Sequence, residues 1–391
     1  MVEKQIEIWY KELELYKIHK KIQRGVQEMK MRSLAIGALL ATALLVSACG
    51  AKEQEEVVST EVVTETQETE TEETLKYITN EDAPEGMIVS ELTGEFIDEA
   101  LEKQRPIAVM IDNEKVALPH YGVSEADIVY EMVNSTHNDR VTRFMVLVKD
   151  WENIEQLGNV RSARPTNFML CMGWNAILCH DGGPFYNNNY SNQPFSTNLN
   201  GGFDRVPNGK SREFTEYITT EDDIAERLKA NKKSIQYQTE YYEGPRFQWL
   251  ENVDLGEAAQ EATYIAPSFP HNQSELSYNA EDGLYYYSEY GEPHLDPGND
   301  NAQLCFKNVV LQKADMYEYD SQGYMYYEII EVRNEGYYFV NGKMIPIQWV
   351  KPSATSPTKY YDMEGNEIAL NVGKTYIGIV PSDTWKEIVI E

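Results

Sequence analysis

The chain is poor in positive charge. Its 391 residues contain 34 Lys and Arg against 64 Asp and Glu, which gives a formal net charge of −30. The first 48 residues carry a net charge of +3, so everything from Cys49 onward carries −33. A surface of that sign is repelled by phosphate backbones and by anionic lipid head groups. The composition therefore excludes general nucleic-acid binding and admits anionic ligands only through a local basic pocket.

Cysteine and the standard catalytic signatures are also scarce. Only Cys171, Cys179 and Cys305 follow Cys49, and an odd number of thiols cannot all pair. Each lies in an apolar stretch, so we expect buried thiols and no disulfide framework. The sequence has no nucleophile elbow, His-Glu-x-x-His pair, Walker loop or EF-hand loop. We predict no metal site and no cofactor, and we lean away from an enzyme.

One apolar run is present near the N-terminus, at residues 34–46. It follows Lys30 and Arg32 and ends in Val46-Ser47-Ala48-Cys49. The run is too short to span a bilayer comfortably, which favours a signal peptide. Its end resembles the lipobox of bacterial lipoproteins, in which the Cys is acylated. We expect a lipid anchor at Cys49 on the outer face of the cytoplasmic membrane, because two acyl chains on one Cys attach a protein stably to a bilayer.

The flanking segments differ from this leader. Residues 1–28 precede a correctly placed start at Met29 or Met31 and are interpreted as an upstream extension. Residues 51–75 contain nine Glu and six Thr without an aromatic residue. Such a segment cannot bury enough apolar surface to fold, so residues 49–83 are predicted to be an anchor and disordered tether.

Residues 84–240 alternate between buried-strand and helix patterns. This alternation predicts an α/β (α+β) domain with a mixed sheet. Ser124–Glu131 fits either a capped helix or a β-branched strand. The clearer elements are strands at Pro106–Asp112, Arg143–Val148 and Ala176–His180, and helices at Pro165–Trp174 and Thr220–Lys233.

Residues 278–391 have a different sequence pattern, in which turn signals recur between stretches rich in β-forming residues. The sequence predicts a smaller mainly-β domain, a sandwich or small barrel, with residues 241–277 as the connection. Asn341-Gly342 is typical of a type I′ hairpin turn, and His294-Leu295-Asp296 is interpreted as a turn. The predicted strands lie at 308–312, 326–330, 336–340 and 375–380.

Polar residues gather at the predicted strand ends of the first domain, where open sheets place their sites. Arg161 and Arg164 precede a predicted helix N-terminus, which favours anions. Their forked guanidinium groups could bind a phosphate or carboxylate, or they could pair with the protein's own carboxylates. The candidate ligand-binding residues are Asp112, Asn113, Glu131, Arg143, Arg161, Ser162, Arg164, His180 and Asp181.

Several short stretches together resemble the YerB-like lipoproteins, which carry a domain of unknown function and a smaller C-terminal companion. The resemblance covers about residues 84–385 and implies an extracytoplasmic lipoprotein with two domains, without an assigned reaction. The stretches are Arg105–Asn113, Gly122–Glu131, Thr142–Phe144, Val160–Pro165 and His180–Gly183, followed by Asn308–Val310, Trp349–Lys351, Asp362–Gly365 and Gly373–Thr375.

Two functions remain open at this point. The first is a membrane-anchored binding or scaffold protein of the cell envelope that recognises a small anionic or glycan ligand, for instance from the cell wall. The segment at 186–202 is rich in Asn and flanked by aromatic residues. It could bind a sugar through its amides and aromatic faces, or it could be a surface loop without a binding role. The alternative is an envelope hydrolase or transferase that uses Asp112, Glu131, and His180 with Asp181 as acid, base or metal ligands.

Replacing the acylated thiol tests the anchor. We expect Cys49→Ala to release the chain from membranes or to leave it as an unprocessed precursor, because the diacylated Cys supplies the membrane affinity. Membrane fractionation and mass spectrometry of the mature N-terminus measure this. An unacylated Cys49 in wild-type cells would contradict the lipoprotein interpretation.

Proteolysis tests the tether. Brief digestion should trim residues 50–80 while a core from about residue 84 persists, because only the tether lacks buried apolar surface. Mass spectrometry of the fragments locates the cuts. Rapid cleavage within residues 105–235 would show that the predicted domain boundary is misplaced.

Overall fold

A computed structural model describes residues 76–391, apart from residues 138, 223 and 245–246. The upstream extension, the signal peptide, Cys49 and most of the predicted tether lie outside the described residues. Three α-helices are found in the described part: α1 (Pro165–Gly173), α2 (Asn188–Ser191) and α3 (Ile224–Ala230).

Short strands make up most of the regular structure of the described residues. In chain order they are β1 (Met87–Val89), β2 (Phe96–Asp98), β3 (Ile107–Asp112), β4 (Ile128–Val133), β5 (Thr142–Val148), β6 (Gln156–Gly158), β7 (Ile177–His180), β8 (Asn198–Asn200), β9 (Asp204–Arg205), β10 (Glu216–Thr219), β11 (Trp249–Leu250), β12 (Gln260–Glu261), β13 (Tyr264–Ala266), β14 (Glu275–Asn279), β15 (Leu284–Glu289), β16 (Glu292–Pro293), β17 (Leu295–Asp296), β18 (Ala302–Gln303), β19 (Cys305–Phe306), β20 (Asn308–Ala314), β21 (Met316–Glu318), β22 (Met325–Tyr327), β23 (Val332–Val340), β24 (Lys343–Lys351), β25 (Lys359–Tyr361), β26 (Leu370–Asn371), β27 (Thr375–Pro381) and β28 (Val389–Ile390).

One eleven-stranded mixed sheet runs through both parts of the chain. Its order is β12-β24-β23-β20-β27-β4-β5-β3-β7-β8, with β25 beside β24. The two parts meet where β27 pairs in parallel with β4, from Thr375 opposite Ile128 to Ile379 opposite Met132. The first part is therefore a mixed sheet with helices, and the second part is mainly β, as the sequence predicts.

The centre of this sheet consists of continuous apolar runs rather than alternating ones. Every residue of β3, β4 and β27 is buried, which is the pattern of strands covered on both faces. Helix α1 is likewise buried along its whole length. These elements form the core that fixes the positions of the strand ends.

The remaining strands form smaller sheets. A six-stranded sheet has the order β16-β15-β14-β13-β28 with β19 beside β15, and a three-stranded sheet has the order β6-β10-β9. Two-stranded pairs are β1-β2, β11-β26, β17-β18 and β21-β22. The predicted connection at 241–277 thus contains three short strands, β11, β12 and β13.

Several local predictions are settled by the structure. Ser124 lies in a short 3-10 turn, Val123–Glu125, and the ambiguous segment continues as the strand β4. The Asn341-Gly342 turn joins β23 to β24 with φ of +52° and +73°, as a type I′ turn requires. A Cβ at Gly342 would lie 2.8 Å from the ring of Tyr278, so glycine also suits the packing there.

Two predicted elements were too long. The helix expected at Thr220–Lys233 is only α3, because the residues before it form a turn in which the Asp222 carboxylate accepts the main-chain N–H groups of Thr219 and Asp204. The helix ends before Lys232, which has a φ of +57°. The strand expected at 326–330 stops at Tyr327.

The three thiols are free, with Cys171 and Cys179 buried and Cys305 half-buried. Among the described helices, none has the length and apolar character needed to cross a bilayer.

Candidate functional site

A polar pocket of about 370 Å³ lies beside the ends of β3 and β5 and the N-terminus of α1. It contains four of the candidate residues, Asp112, Arg143, Arg161 and Arg164. The other lining residues are Glu114, Asn134, Ser135, Val141, Thr142, Glu213 and Phe214. Arg143 lies at the start of β5, whereas Arg161 and Arg164 lie in the loop between β6 and α1, and the fold brings all three to one place.

Asp112 is the buried carboxylate that organises two of these arginines. Its Oδ2 accepts the Nε–H of Arg161 at 2.6 Å and lies 3.7 Å from an Arg143 Nη atom. Arg143 also donates to the Asn134 side chain at 3.1 Å and to the Ser162 carbonyl at 2.7 Å. Arg161 Nη2 also lies 3.2 Å from Oε2 of Glu213, whose side chain is largely exposed. Arg143 and Arg161 are therefore ion-pair partners of the protein's own carboxylates.

Arg164 differs from both. It is 8% exposed, its Nε has no hydrogen-bond partner, and its Nη1 donates to the carbonyl of Ala163 at 3.1 Å. The guanidinium lies 4.9 Å from the centre of the Tyr324 ring. No carboxylate within ion-pairing distance of it is found among the described residues. Arg164 is therefore a buried cation that forms no ion pair with a carboxylate in the described part of the chain.

The electrostatics of the pocket reflect this imbalance. Burial, reinforced by the neighbouring Arg143, lowers the pKa of Arg164 to about 9. Burial also lowers the pKa of Arg143, although Asp112 opposes the shift. Arg164 precedes α1 in the N-cap position, where the positive end of the helix dipole adds to the field. An anion entering the pocket would offset all of these contributions.

His180 and Asp181 lie outside this pocket lining. His180 Nδ1 donates to the Gly182 carbonyl at 2.8 Å, and Nε2 accepts from the Asn198 amide at 3.2 Å. Burial lowers the pKa of His180, which keeps the ring neutral. Asp181 pairs with Arg205 at 3.2 Å. The histidine therefore uses both ring nitrogens, one to hold the loop after β7 and the other to contact β8.

Glu131 and Asn113 are buried behind the pocket. The Glu131 carboxylate accepts hydrogen bonds from the hydroxyl groups of four side chains: Thr142 at 2.7 Å, Ser274 at 2.7 Å, Tyr287 at 3.1 Å and Tyr376 at 2.7 Å. Burial raises its pKa to about 7. Asn113 donates to Thr142 at 3.0 Å. These two candidates tie strands together, and Ser162 contributes its carbonyl to Arg143.

The sequence did not indicate an aromatic cluster that begins at Arg164, outside the pocket lining. Tyr324 lies in the β21–β22 hairpin, where its carbonyl accepts the N–H of Tyr319 at 2.8 Å. The Tyr319 ring is stacked on Tyr186 with centroids 4.5 Å apart, and the adjacent Phe185 is 71% exposed. The two parts of this surface are distant in sequence, so only the fold unites them.

Comparison with known proteins identifies two domains. Residues 92–236 match a family described as "Protein of unknown function (DUF3048) N-terminal domain", and residues 265–377 match its C-terminal domain. A curated relative, named "Putative lipoprotein YerB", from Bacillus subtilis (strain 168), is 23% identical over 303 residues, which is 74% of this chain and 85% of that protein.

The fold is also found in a solved structure. The crystal structure of the YerB protein from Bacillus subtilis aligns with a TM-score of 0.63 at 22% identity, over 78% of this chain and 99% of that one. The shared architecture is a protein of two parts with a mixed-sheet N-terminal part and a mainly-β C-terminal part. The chain belongs to the YerB-like family.

The buried Glu131 predicts a pH dependence. Its folded-state pKa of about 7 lies above the ordinary value of 4.5. Its contribution to stability is therefore complete below about pH 4.5 and is lost as the pH rises towards 7. Relative to Glu131→Gln, we expect the wild-type free energy of unfolding to fall by about 3 kcal/mol across that window.

Denaturant unfolding at a series of pH values measures the difference between the two proteins. Glu335→Gln serves as the matched control, because Glu335 is an exposed carboxylate paired with Lys313 and should leave the pH profile almost unchanged. Parallel curves for wild type and Glu131→Gln would show that Glu131 does not titrate in this range.

Proposed function

We propose that this protein is a lipid-anchored component of the cell envelope that binds a small anionic ligand in the arginine pocket. The ligand would enter beside Arg143 and Arg161 and make its principal contact with Arg164. In a chain whose mature part carries −33, the pocket provides the local positive charge that such a ligand needs.

The observation that carries this proposal is the unpaired guanidinium of Arg164. Removing a charge from water is costly unless the charge is paired. Arg143 and Arg161 satisfy that requirement with Asp112. Within the residues that the structure describes, Arg164 instead contacts a carbonyl oxygen and an aromatic face. A phosphate or carboxylate on a ligand would provide the missing partner with two parallel hydrogen bonds.

The aromatic surface favours a ligand that also carries a sugar. Tyr324 contacts Arg164 and is joined to Tyr319 by a main-chain hydrogen bond. The Tyr319 ring stacks on Tyr186, which packs against the exposed ring of Phe185. Aromatic faces stack on the apolar face of a sugar ring. An acidic saccharide could therefore place its charge on Arg164 and its ring on these side chains.

The location rests on the leader sequence and on the relative's name. Residues 30–49 have the layout of a lipoprotein signal peptide, and the Bacillus subtilis relative is named as a lipoprotein. An acylated Cys49 would hold the folded part outside the membrane on an acidic tether.

An enzymatic function has less geometric support. The alternative of an envelope hydrolase or transferase requires Asp112, Glu131, and His180 with Asp181 to act together. Glu131 is enclosed by four hydroxyl groups, and both nitrogens of His180 are hydrogen-bonded. Asp112 is engaged by Arg161. A base beside a free nucleophile is the arrangement that this alternative would need.

Replacing Arg164 tests the binding function. We expect Arg164→Met to weaken binding of inorganic phosphate or of an acidic sugar at least about tenfold, a loss of about 1.4 kcal/mol. The unliganded variant should be at least as stable as wild type, because the substitution removes an unpaired buried charge. Calorimetric titration and thermal melting with phosphate, acidic sugars and their neutral counterparts measure both effects.

Arg333→Met is the matched control, since Arg333 also lies over a tyrosine ring but is outside the pocket. It should leave binding unchanged. Undiminished binding by Arg164→Met would rule out the pocket as the site. A large loss of stability in the unliganded variant would instead make Arg164 a structural residue.

A further inference from the structure

Two of the six histidines meet in the core although they are distant in sequence. His120 lies in the loop between β3 and β4, and His294 lies between β16 and β17. Their ring centroids are 5.0 Å apart, and the residues are 0% and 3% exposed. The contact therefore joins the N-terminal and C-terminal parts of the fold at a fully buried point.

Each ring has one nitrogen engaged and one nitrogen free. His120 Nε2 donates to the main-chain oxygen of Asp112 at 2.5 Å, and His294 Nδ1 donates to Glu289 Oε1 at 2.9 Å. A carbonyl and a carboxylate only accept, so these nitrogens carry the protons. His120 Nδ1 and His294 Nε2 then present lone pairs, and both are buried without a hydrogen-bond partner among residues 76–391 as far as these are described. Such acceptors are costly unless something binds them.

Glu289 completes a group of three possible ligands. It is 1% exposed, and one ligand atom from each of Glu289, His120 and His294 lies within 4.8 Å of the other two. Imidazole nitrogens with a carboxylate are a ligand set for first-row transition-metal ions. Ligand histidines commonly donate their second N–H to a carboxylate or a main-chain carbonyl, and His120 already donates its Nε2–H to the main-chain oxygen of Asp112, which leaves Nδ1 for an ion. His294 Nδ1 and Glu289 Oε1 face each other at 2.9 Å, so an ion would take the place of the proton between them, and that proton would move to His294 Nε2.

We propose that His120, His294 and Glu289 bind one divalent transition-metal ion, with Zn²⁺ as the ion to be tested. Zinc–ligand bonds of about 2.0–2.2 Å require the three atoms to move inward from their present spacing, through small side-chain rotations. Calcium and magnesium are disfavoured, because they require six or more oxygen ligands.

The ion would act structurally. All three side chains are buried, and the rings of Phe144 and Tyr287 lie 5.9 Å and 5.7 Å from His294. Binding would connect the loop after β3 to the turn after β15. Its positive charge would also offset the negative charges of Glu289 and the nearby Glu131. Through His120 it would further fix the main chain at Asp112, beside the arginine pocket.

Refolding with and without the ion tests the site. The full-length chain is purified in detergent with an affinity tag that lacks histidine, unfolded with a chelator, and refolded with Zn²⁺, Mg²⁺ or no metal. We expect about one bound Zn²⁺ per chain by elemental mass spectrometry. At a roughly hundredfold excess over the dissociation constant, Zn²⁺ should raise Tm by about 5–10 °C, whereas Mg²⁺ should not raise it.

Single substitutions identify the ligands. His120→Gln and His294→Gln should each weaken Zn²⁺ binding at least about tenfold. His180→Gln is the matched control, because His180 is buried but its two nitrogens are hydrogen-bonded to Gly182 and Asn198. This variant should bind Zn²⁺ like wild type. Undiminished binding by both ligand variants would overturn the proposal, as would a wild type that binds no Zn²⁺.

The absorption spectrum of the Co²⁺-loaded wild type tests the ligand set without requiring that the variants fold. Wild-type chain refolded with Co²⁺ should show the visible ligand-field bands of a low-coordinate site with nitrogen and oxygen ligands. Sulfur-to-metal charge-transfer bands would assign the ion to a cysteine and overturn the proposal. A spectrum identical to that of aqueous Co²⁺ would overturn it as well.

Discussion

The hydrogen bonds to the Glu131 carboxylate connect the N-terminal and C-terminal parts of the chain. The carboxylate is completely buried, and its four hydroxyl donors come from both parts of the chain. Thr142 is on the neighbouring strand β5, whereas Ser274, Tyr287 and Tyr376 belong to the C-terminal part. A buried acceptor of this kind is favourable only when its donors are all in place. The parallel pairing of β4 with β27 and the docking of the six-stranded sheet are thereby coupled to one group.

That coupling explains why the arginine pocket has a fixed shape. Strand β5 pairs with β4 on one side and with β3 on the other, so the strand held by Glu131 also places Arg143 opposite Asp112. The same pairing brings the Arg161 main-chain N–H to the Met110 carbonyl at 2.9 Å. The pocket is built from main chain that cannot shift without breaking the central sheet. Arg143 and Arg161 are thereby held beside Asp112 by the sheet itself.

Local sequence patterns predicted the local elements and failed on contacts across the fold. The continuous apolar runs of β3 and β27 and the Pro at the start of α1 identify those elements, because the relevant physics acts between neighbours. The convergence of Arg161 and Arg164 was also predictable, since both lie in one loop before a helix. By contrast, His294 was interpreted as a turn residue, and nothing near it in sequence indicates His120. Glu131 was a candidate ligand residue, although its four partners are hydroxyl groups that no spacing rule connects to it.

The distinction between Arg161 and Arg164 shows what a sequence motif leaves undetermined. Three residues apart, both have the same chemistry and lie near the same helix N-terminus, yet Arg161 is satisfied by Asp112 whereas Arg164 faces the ring of Tyr324. In a protein with this surplus of carboxylates, an arginine without one is unusual on charge statistics alone. The π face of the tyrosine favours a cation. The hairpin that carries Tyr324 thus places an aromatic face of the C-terminal part against a guanidinium of the N-terminal part.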